Sequence, residues 1–99
     1  MPSRNKQLRM SNVDGYLSQI NKNTSPDTSI KLKCRAAKCF ANTGSIKYLK
    51  EAIELYTEAY DIQGDMRGYH HHRTLNIVNL MIQCENKIEV IKKNKNTNY

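Results

Sequence analysis

Apolar residues recur every three or four positions along most of the chain, which is the spacing of an amphipathic helix. Near the N-terminus, Ser11 and Asp14 have the arrangement of a helix N-cap and begin a short stripe of Val13, Tyr16, Leu17 and Ile20. The next stripe follows the segment Ser25-Pro26-Asp27, in which a hydroxyl cap, a proline and an acid come in the order of a helix start. We therefore predict a short first helix and a second helix from about Pro26 to Asn42.

A third stripe predicts a helix from about Ile46 to Gln63, whose buried side holds Leu49, Ala52, Ile53, Tyr56, Ala59 and Tyr60. Gly64 is expected to end this helix, because glycine tolerates the backbone conformation found at helix C-termini. The fourth helix is expected to begin near Asp65. Residues 86–90 repeat the pattern of residues 51–55, and Asn86 with Glu89 forms a capping box, so we expect the fourth helix to divide near residues 83–86.

Together these segments predict an all-α fold, a small domain of four to five helices packed as antiparallel pairs. Residues 1–24 are expected to form a basic N-terminal segment with a short capping helix, residues 25–93 the helix-pair domain, and residues 94–99 a flexible tail. A chain of 99 residues buries only about two-thirds of its unfolded surface, so we expect no large catalytic cleft.

Positive charge is concentrated in the first half of the chain. Residues 1–50 hold ten Lys or Arg against two acids, a net charge of +8, whereas residues 51–99 hold six against seven, a net charge of −1. In the second helix, four residues at i, i+4, i+7 and i+11 share one face: Lys31, Arg35, Lys38 and Asn42. We call these four residues the basic stripe and predict that they bind a partner. The alternative interpretation is a solvated basic face.

Metal binding and catalysis have little support in the sequence. The three histidines at residues 70–72 are consecutive, and adjacent helical residues point about 100° apart, so they cannot converge on one tetrahedral ion. We expect them to cover a partly exposed helix face. Cys34, Cys39 and Cys84 form no Cys-x-x-Cys pair and are interpreted as small buried apolar residues. Since phosphate-loop, zinc-protease and nucleophile-elbow motifs are all missing, we expect no enzyme activity, metal or cofactor.

Small residues on either side of a tyrosine distinguish the third helix. Ala52 and Ala59 let a neighbouring helix approach closely, while Tyr56 fills the space between them. This run resembles the second helix of a tetratricopeptide repeat, and "GDMRG" at 64–68 resembles the turn into a following repeat. The stretch "EAIELYTEAYDIQGDMRGY" at 51–69 most resembles the soluble NSF-attachment proteins, and the likeness covers about residues 28–80. Lys87 stands where a second repeat would have alanine.

A second resemblance is to the three-helix microtubule-interacting and transport modules. Their helices have a similar Ala-Ile-x-Leu-Tyr-x-x-Ala run, and "CENKIEVIKK" at 84–93 is similar to their final helix. Both resemblances imply recognition of a peptide or helix of another protein.

The expected function is that of a non-enzymatic interaction module or adaptor that holds an acidic or amphipathic helical segment against the basic stripe. The resemblance to attachment proteins implies a role in vesicle trafficking. The alternative is a small basic nucleic-acid-binding protein, although such proteins usually expose aromatic side chains as well. Because helical repeats need about three or more copies for stability, we expect a homo-oligomer or docking on a larger complex. Without a membrane-spanning apolar run or a signal peptide in the sequence, a cytoplasmic location is expected.

Overall fold

The computed structural model describes residues 12–97, with side chains described for residues 12–94. Four helices follow one another: residues 12–18 (α1), Pro26–Ala41 (α2), Ile46–Arg67 (α3) and His72–Thr97 (α4). No strand occurs within residues 12–97, so the predicted all-α fold is confirmed. The predicted cap at Ser11 and the basic residues before it lie outside the described residues.

Helix α2 begins and ends where the sequence predicts. Ser25 has an extended backbone, and its Oγ accepts a hydrogen bond from the Thr28 N–H at 3.2 Å. Pro26 is the first helical residue, where its missing N–H costs nothing. At the other end the Asn42 N–H donates to the Lys38 carbonyl, and Gly44 follows with a φ of +74°. The cap and the glycine turn therefore set both ends of α2 locally.

Helices α2 and α3 form an antiparallel pair. Two ion pairs join them: Lys33 with Glu58, and Asp27 with Arg67 at 3.0 Å, so the start of α2 lies beside the end of α3. At the opposite end of the pair, the rings of Phe40 and Tyr48 stack at 5.6 Å. These contacts establish one antiparallel pair, as the sequence predicts.

Helix α3 is the central helix of the fold, with extensive contacts to α2 on one side and to α4 on the other. Its packed side consists of Leu49, Ala52, Leu55, Tyr56 and Ala59, and the alanines are fully buried. Small residues at this seam let the neighbouring helices approach closely. Ile53 and Tyr60, which we predicted on the buried side, are only half-buried at its edge.

The boundary between α3 and α4 lies later than predicted. Gly64 does not end α3; it lies inside the helix, and the Tyr69 ring occupies the space where a side chain would be. The helix instead continues to Arg67 and ends at Gly68, whose φ of +96° is one that L residues rarely adopt. Helix α4 therefore begins at His72 and not near Asp65.

The predicted division of α4 near residues 83–86 is also wrong. One uninterrupted helix runs from His72 to Thr97, through Asn86 and Glu89, and into the segment predicted to be a tail. A capping box requires its first residue to leave the helical conformation. Here Cys84 and Ile88 are buried in the common core at helical spacing, so tertiary packing keeps Asn86 inside the helix.

His70 and His71 lie in the turn between α3 and α4, and His72 is the first residue of α4, so the predicted helix face of histidines is wrong. His71 precedes α4, and its Nδ1 accepts a hydrogen bond from the Arg73 N–H at 3.2 Å. The His71 and His72 rings stack at 4.3 Å. The Thr74 hydroxyl, fully buried, donates to the Gly68 carbonyl at 2.9 Å and fixes the turn from the α4 side.

Candidate partner-binding groove

A groove lies between α2 and α4. Both helices pack against α3 and run opposite to it in the up-down order of the chain, so α2 and α4 are parallel to each other and form the two walls of the groove. The cavity between them has a volume of about 390 Å³. This is the surface that the basic stripe borders.

The basic stripe is exposed along its whole length, but only part of it borders the groove. Arg35, Lys38 and Asn42 line the α2 wall, whereas Lys31 lies beyond the groove. Neither Arg35 nor Lys38 forms an ion pair with a carboxylate in the described part of the chain. The predicted face is thus present. Two of its cations, Arg35 and Lys38, border the groove, and Lys31 lies outside it.

Lys87 adds a cation from the opposite wall. It belongs to α4, is exposed, and borders the groove together with Leu80, Gln83 and Cys84. The sequence showed Lys87 only as a departure from the alanine of a second repeat. Its spacing of three from Cys84 and seven from Leu80 places all three on one helix face. The spacing alone could have placed Lys87 on this face of α4, but it could not show that the face borders a groove shared with α2.

The floor of the groove is apolar. Ala41, Tyr56 and Cys84 are buried, and Cys34 and Leu80 are half-buried. The groove therefore combines an apolar floor with cations on both rims, which matches a ligand that is apolar on one side and acidic at its flanks.

Burial keeps the ionisable groups of the floor neutral. It raises the pKa of the Cys34 thiol to about 11 and that of the Tyr56 hydroxyl to about 12, with smaller contributions to Tyr56 from the nearby cysteines. Burial also raises the pKa of Cys84, partly opposed by Lys87. At neutral pH these thiols are protonated, and it is the thiolate that acts as nucleophile and metal ligand. The floor therefore favours binding of apolar groups over nucleophilic chemistry.

No protein-family model, no curated protein and no solved structure matches this chain. The likeness to tetratricopeptide repeats, attachment proteins and microtubule-interacting modules is thus a resemblance of the sequence alone. In the described residues, no three His, Cys, Asp or Glu side chains are grouped so that they could hold a metal ion.

Proposed function

We propose that this chain is a non-enzymatic protein-interaction module whose groove binds an acidic, amphipathic helical segment of another protein. The observation that carries the proposal is the apolar floor between cations that come from two different helices, Arg35 and Lys38 on α2 and Lys87 on α4. A helical segment lying in the groove would bury its apolar side on the floor and place carboxylates at both rims.

The two kinds of contact have different roles. An exposed ion pair contributes only about 0.2–1 kcal/mol, so the rim cations give selectivity and a faster association rate more than affinity. Apolar burial contributes about 25 cal/mol per Å², so the floor around Tyr56 supplies most of the binding free energy. The expected ligand therefore needs both an apolar stripe and acidic flanks.

Two lysines on α2 provide a matched test. The probe is a fluorescein-labelled model peptide of about 16 residues, a helix of about 24 Å, with a leucine stripe flanked by glutamates. Lys38 borders the groove and Lys31 does not, although both are exposed on the same helix. We expect Lys38→Glu to weaken binding about three- to tenfold in fluorescence anisotropy, and Lys31→Glu to change it less than about twofold.

Circular dichroism should show unchanged helix content in both variants, because neither lysine belongs to the core. Equal weakening by the two substitutions would contradict a role for the groove, since general charge attraction would then explain binding. If the variant with Lys31, Arg35 and Lys38 all changed to Glu binds the peptide as the parent does, the basic stripe is only a solvated face.

The nucleic-acid alternative makes a different prediction for the same variants. With labelled single-stranded DNA, each lost phosphate contact should reduce the salt slope of binding by about one unit, and Lys31 and Lys38 should then be equivalent. Stacking of bases beside the groove cations would need an exposed aromatic ring there, but Tyr56, the aromatic residue that lines the groove, is buried. Protein recognition is therefore the better-supported function.

Three further expectations remain proposals. A role as an adaptor in vesicle trafficking and a cytoplasmic location rest on the sequence alone. None of the described helices has the length and apolarity needed to cross a membrane. Association into a homo-oligomer or a larger complex is supported by Leu75 and Ile82 on α4, whose side chains are each 46% exposed.

A further inference from the structure

We propose that, when no other partner is bound, the groove of one copy is occupied by α4 of a second copy. This inference rests on the proposed function, because it uses the same groove and the same kind of ligand. It names that ligand as a segment of this chain: the α4 residues Leu75, Val78, Ile82, Glu85 and Glu89, which we call the outer stripe.

The outer stripe has the pattern of a helix that packs on another helix. Its members recur at i, i+3, i+7, i+10 and i+14, so they lie in one line along α4. Leu75 and Ile82 are each 46% exposed, Val78 is half-buried, and both glutamates are exposed. The stripe is thus apolar in its first half and acidic in its second half.

The groove likewise has a basic part and an apolar part. Beyond its basic part, a second cavity of about 350 Å³ continues along α4, and it is lined by Gly44, Leu49, Asn86, Lys87, Val90 and Ile91. Lys87 borders both cavities, so they are consecutive. Gly44 leaves the second cavity open on the α2 side, since no atom lies within 4 Å of the position of an added Cβ. Val90 is 57% exposed there, so it offers an apolar surface to a ligand.

The order of charged and apolar parts agrees for one orientation. The groove extends from Leu80 to Ile91, about 16 Å along α4, and the outer stripe extends over about 21 Å. If the α4 of the second copy runs antiparallel to the α4 of the first, its Glu85 and Glu89 reach the cations Arg35, Lys38 and Lys87. Its Ile82 then covers Val90 and Ile91. The parallel orientation would place the glutamates over the apolar part.

This contact is heterologous, because the groove and the outer stripe are different surfaces. Such an interface leaves one groove and one stripe free after each addition, so it generates open oligomers unless a ring closes. Self-association would also mask the groove, so a partner with an acidic amphipathic helix would have to displace the second copy.

Two double variants test the proposal, and each of them alters one of the two surfaces. Arg35→Glu with Lys38→Glu damages the groove, and Leu75→Gln with Ile82→Gln damages the outer stripe. In sedimentation velocity, we expect the parent chain to form larger species with rising concentration, and added salt to weaken this association. Each double variant should associate at least about tenfold more weakly. An equimolar mixture of the two should form a one-to-one complex, because one undamaged groove then meets one undamaged stripe.

Several outcomes would overturn the proposal. A parent chain that stays monomeric at all concentrations would do so, while binding of the model peptide could still support the proposed function. Association that is lost in the stripe variant but kept in the groove variant would mean that two outer stripes pack on each other. If Leu75→Gln with Ile82→Gln lowers helix content, Glu85→Lys with Glu89→Lys replaces it, because both glutamates are exposed. If this glutamate variant and the groove variant stay monomeric when they are mixed, the proposal is contradicted as well.

Discussion

Replacing Gly64 by alanine tests whether close packing or helix termination explains this glycine. Gly64 lies inside α3, and a Cβ built there would be 2.2 Å from Cε1 of Tyr69 and 2.5 Å from Cζ. Non-bonded carbon atoms prefer a separation of about 3.5–4.0 Å, so the Tyr69 ring has to move by roughly 1 Å or more. The ring belongs to a flexible side chain at the surface, so it can move, but it loses its present contacts.

The contacts of Tyr69 determine the size of the effect. Its ring packs against Tyr60 with the centroids 5.1 Å apart, and its hydroxyl donates to Asp65 at 3.2 Å. An aromatic pair contributes about 0.5–1.5 kcal/mol and a hydrogen bond a similar amount. Alanine in place of glycine within a helix gains about 0.5–1 kcal/mol. We therefore expect Gly64→Ala to lower the free energy of unfolding by about 1 kcal/mol.

A double-mutant cycle separates the two contributions. Once Tyr69→Ala has removed the ring, Gly64→Ala should stabilise the chain by about 0.5–1 kcal/mol, which gives a coupling of about 1.5–2 kcal/mol. Urea denaturation followed by circular dichroism measures all four proteins. Gly68→Ala is the control: its φ of +96° and ψ of 150° favour glycine, so it should cost about 1–3 kcal/mol in either background.

Equal stabilisation of both backgrounds by Gly64→Ala would contradict the prediction, because the Tyr69 ring would then not occupy the space above Gly64. A similar loss in both backgrounds would instead support the interpretation of Gly64 as a helix terminator.

Two further predictions concern helix starts. Ser25→Ala should cost about 1 kcal/mol, because the Thr28 N–H loses its cap, whereas Ser45→Ala should cost only about a few tenths, since the Ser45 side chain caps no described N–H. Equal losses in urea denaturation would contradict this assignment. Burial and then the neighbouring cations lower the pKa of His71 below 6.5. The unfolded chain therefore binds more protons at mildly acidic pH, and the free energy of unfolding should fall as the pH drops from about 6.5 through the lowered pKa. His71→Asn keeps an acceptor for the Arg73 N–H that does not titrate, so its Tm should fall less between about pH 7.5 and 5.5; parallel curves for the two proteins would contradict the prediction.

The sequence was most informative where structure depends on neighbouring residues. Ser25, Pro26 and Asp27 act within one turn of helix, and they predicted the start of α2 correctly. The predicted end of α3 was wrong, because Gly64 and Gly68 both meet the local criteria for a helix terminator. The choice between them depends on the Tyr69 ring, which returns to Gly64 only after the turn is made.

The basic stripe could likewise be predicted from local spacing, whereas the groove beside it could not. The spacing of Lys31, Arg35 and Lys38 along α2 is a property of one helix, so the sequence alone determined that they share an exposed face. It could not show that Lys31 lies outside the groove or that Lys87 faces the stripe from α4. Nearly fifty residues separate Lys38 from Lys87, and only the packing of α2 and α4 on α3 brings them together. Periodicity and caps act over a few residues, whereas a groove between two helices is decided by tertiary contacts.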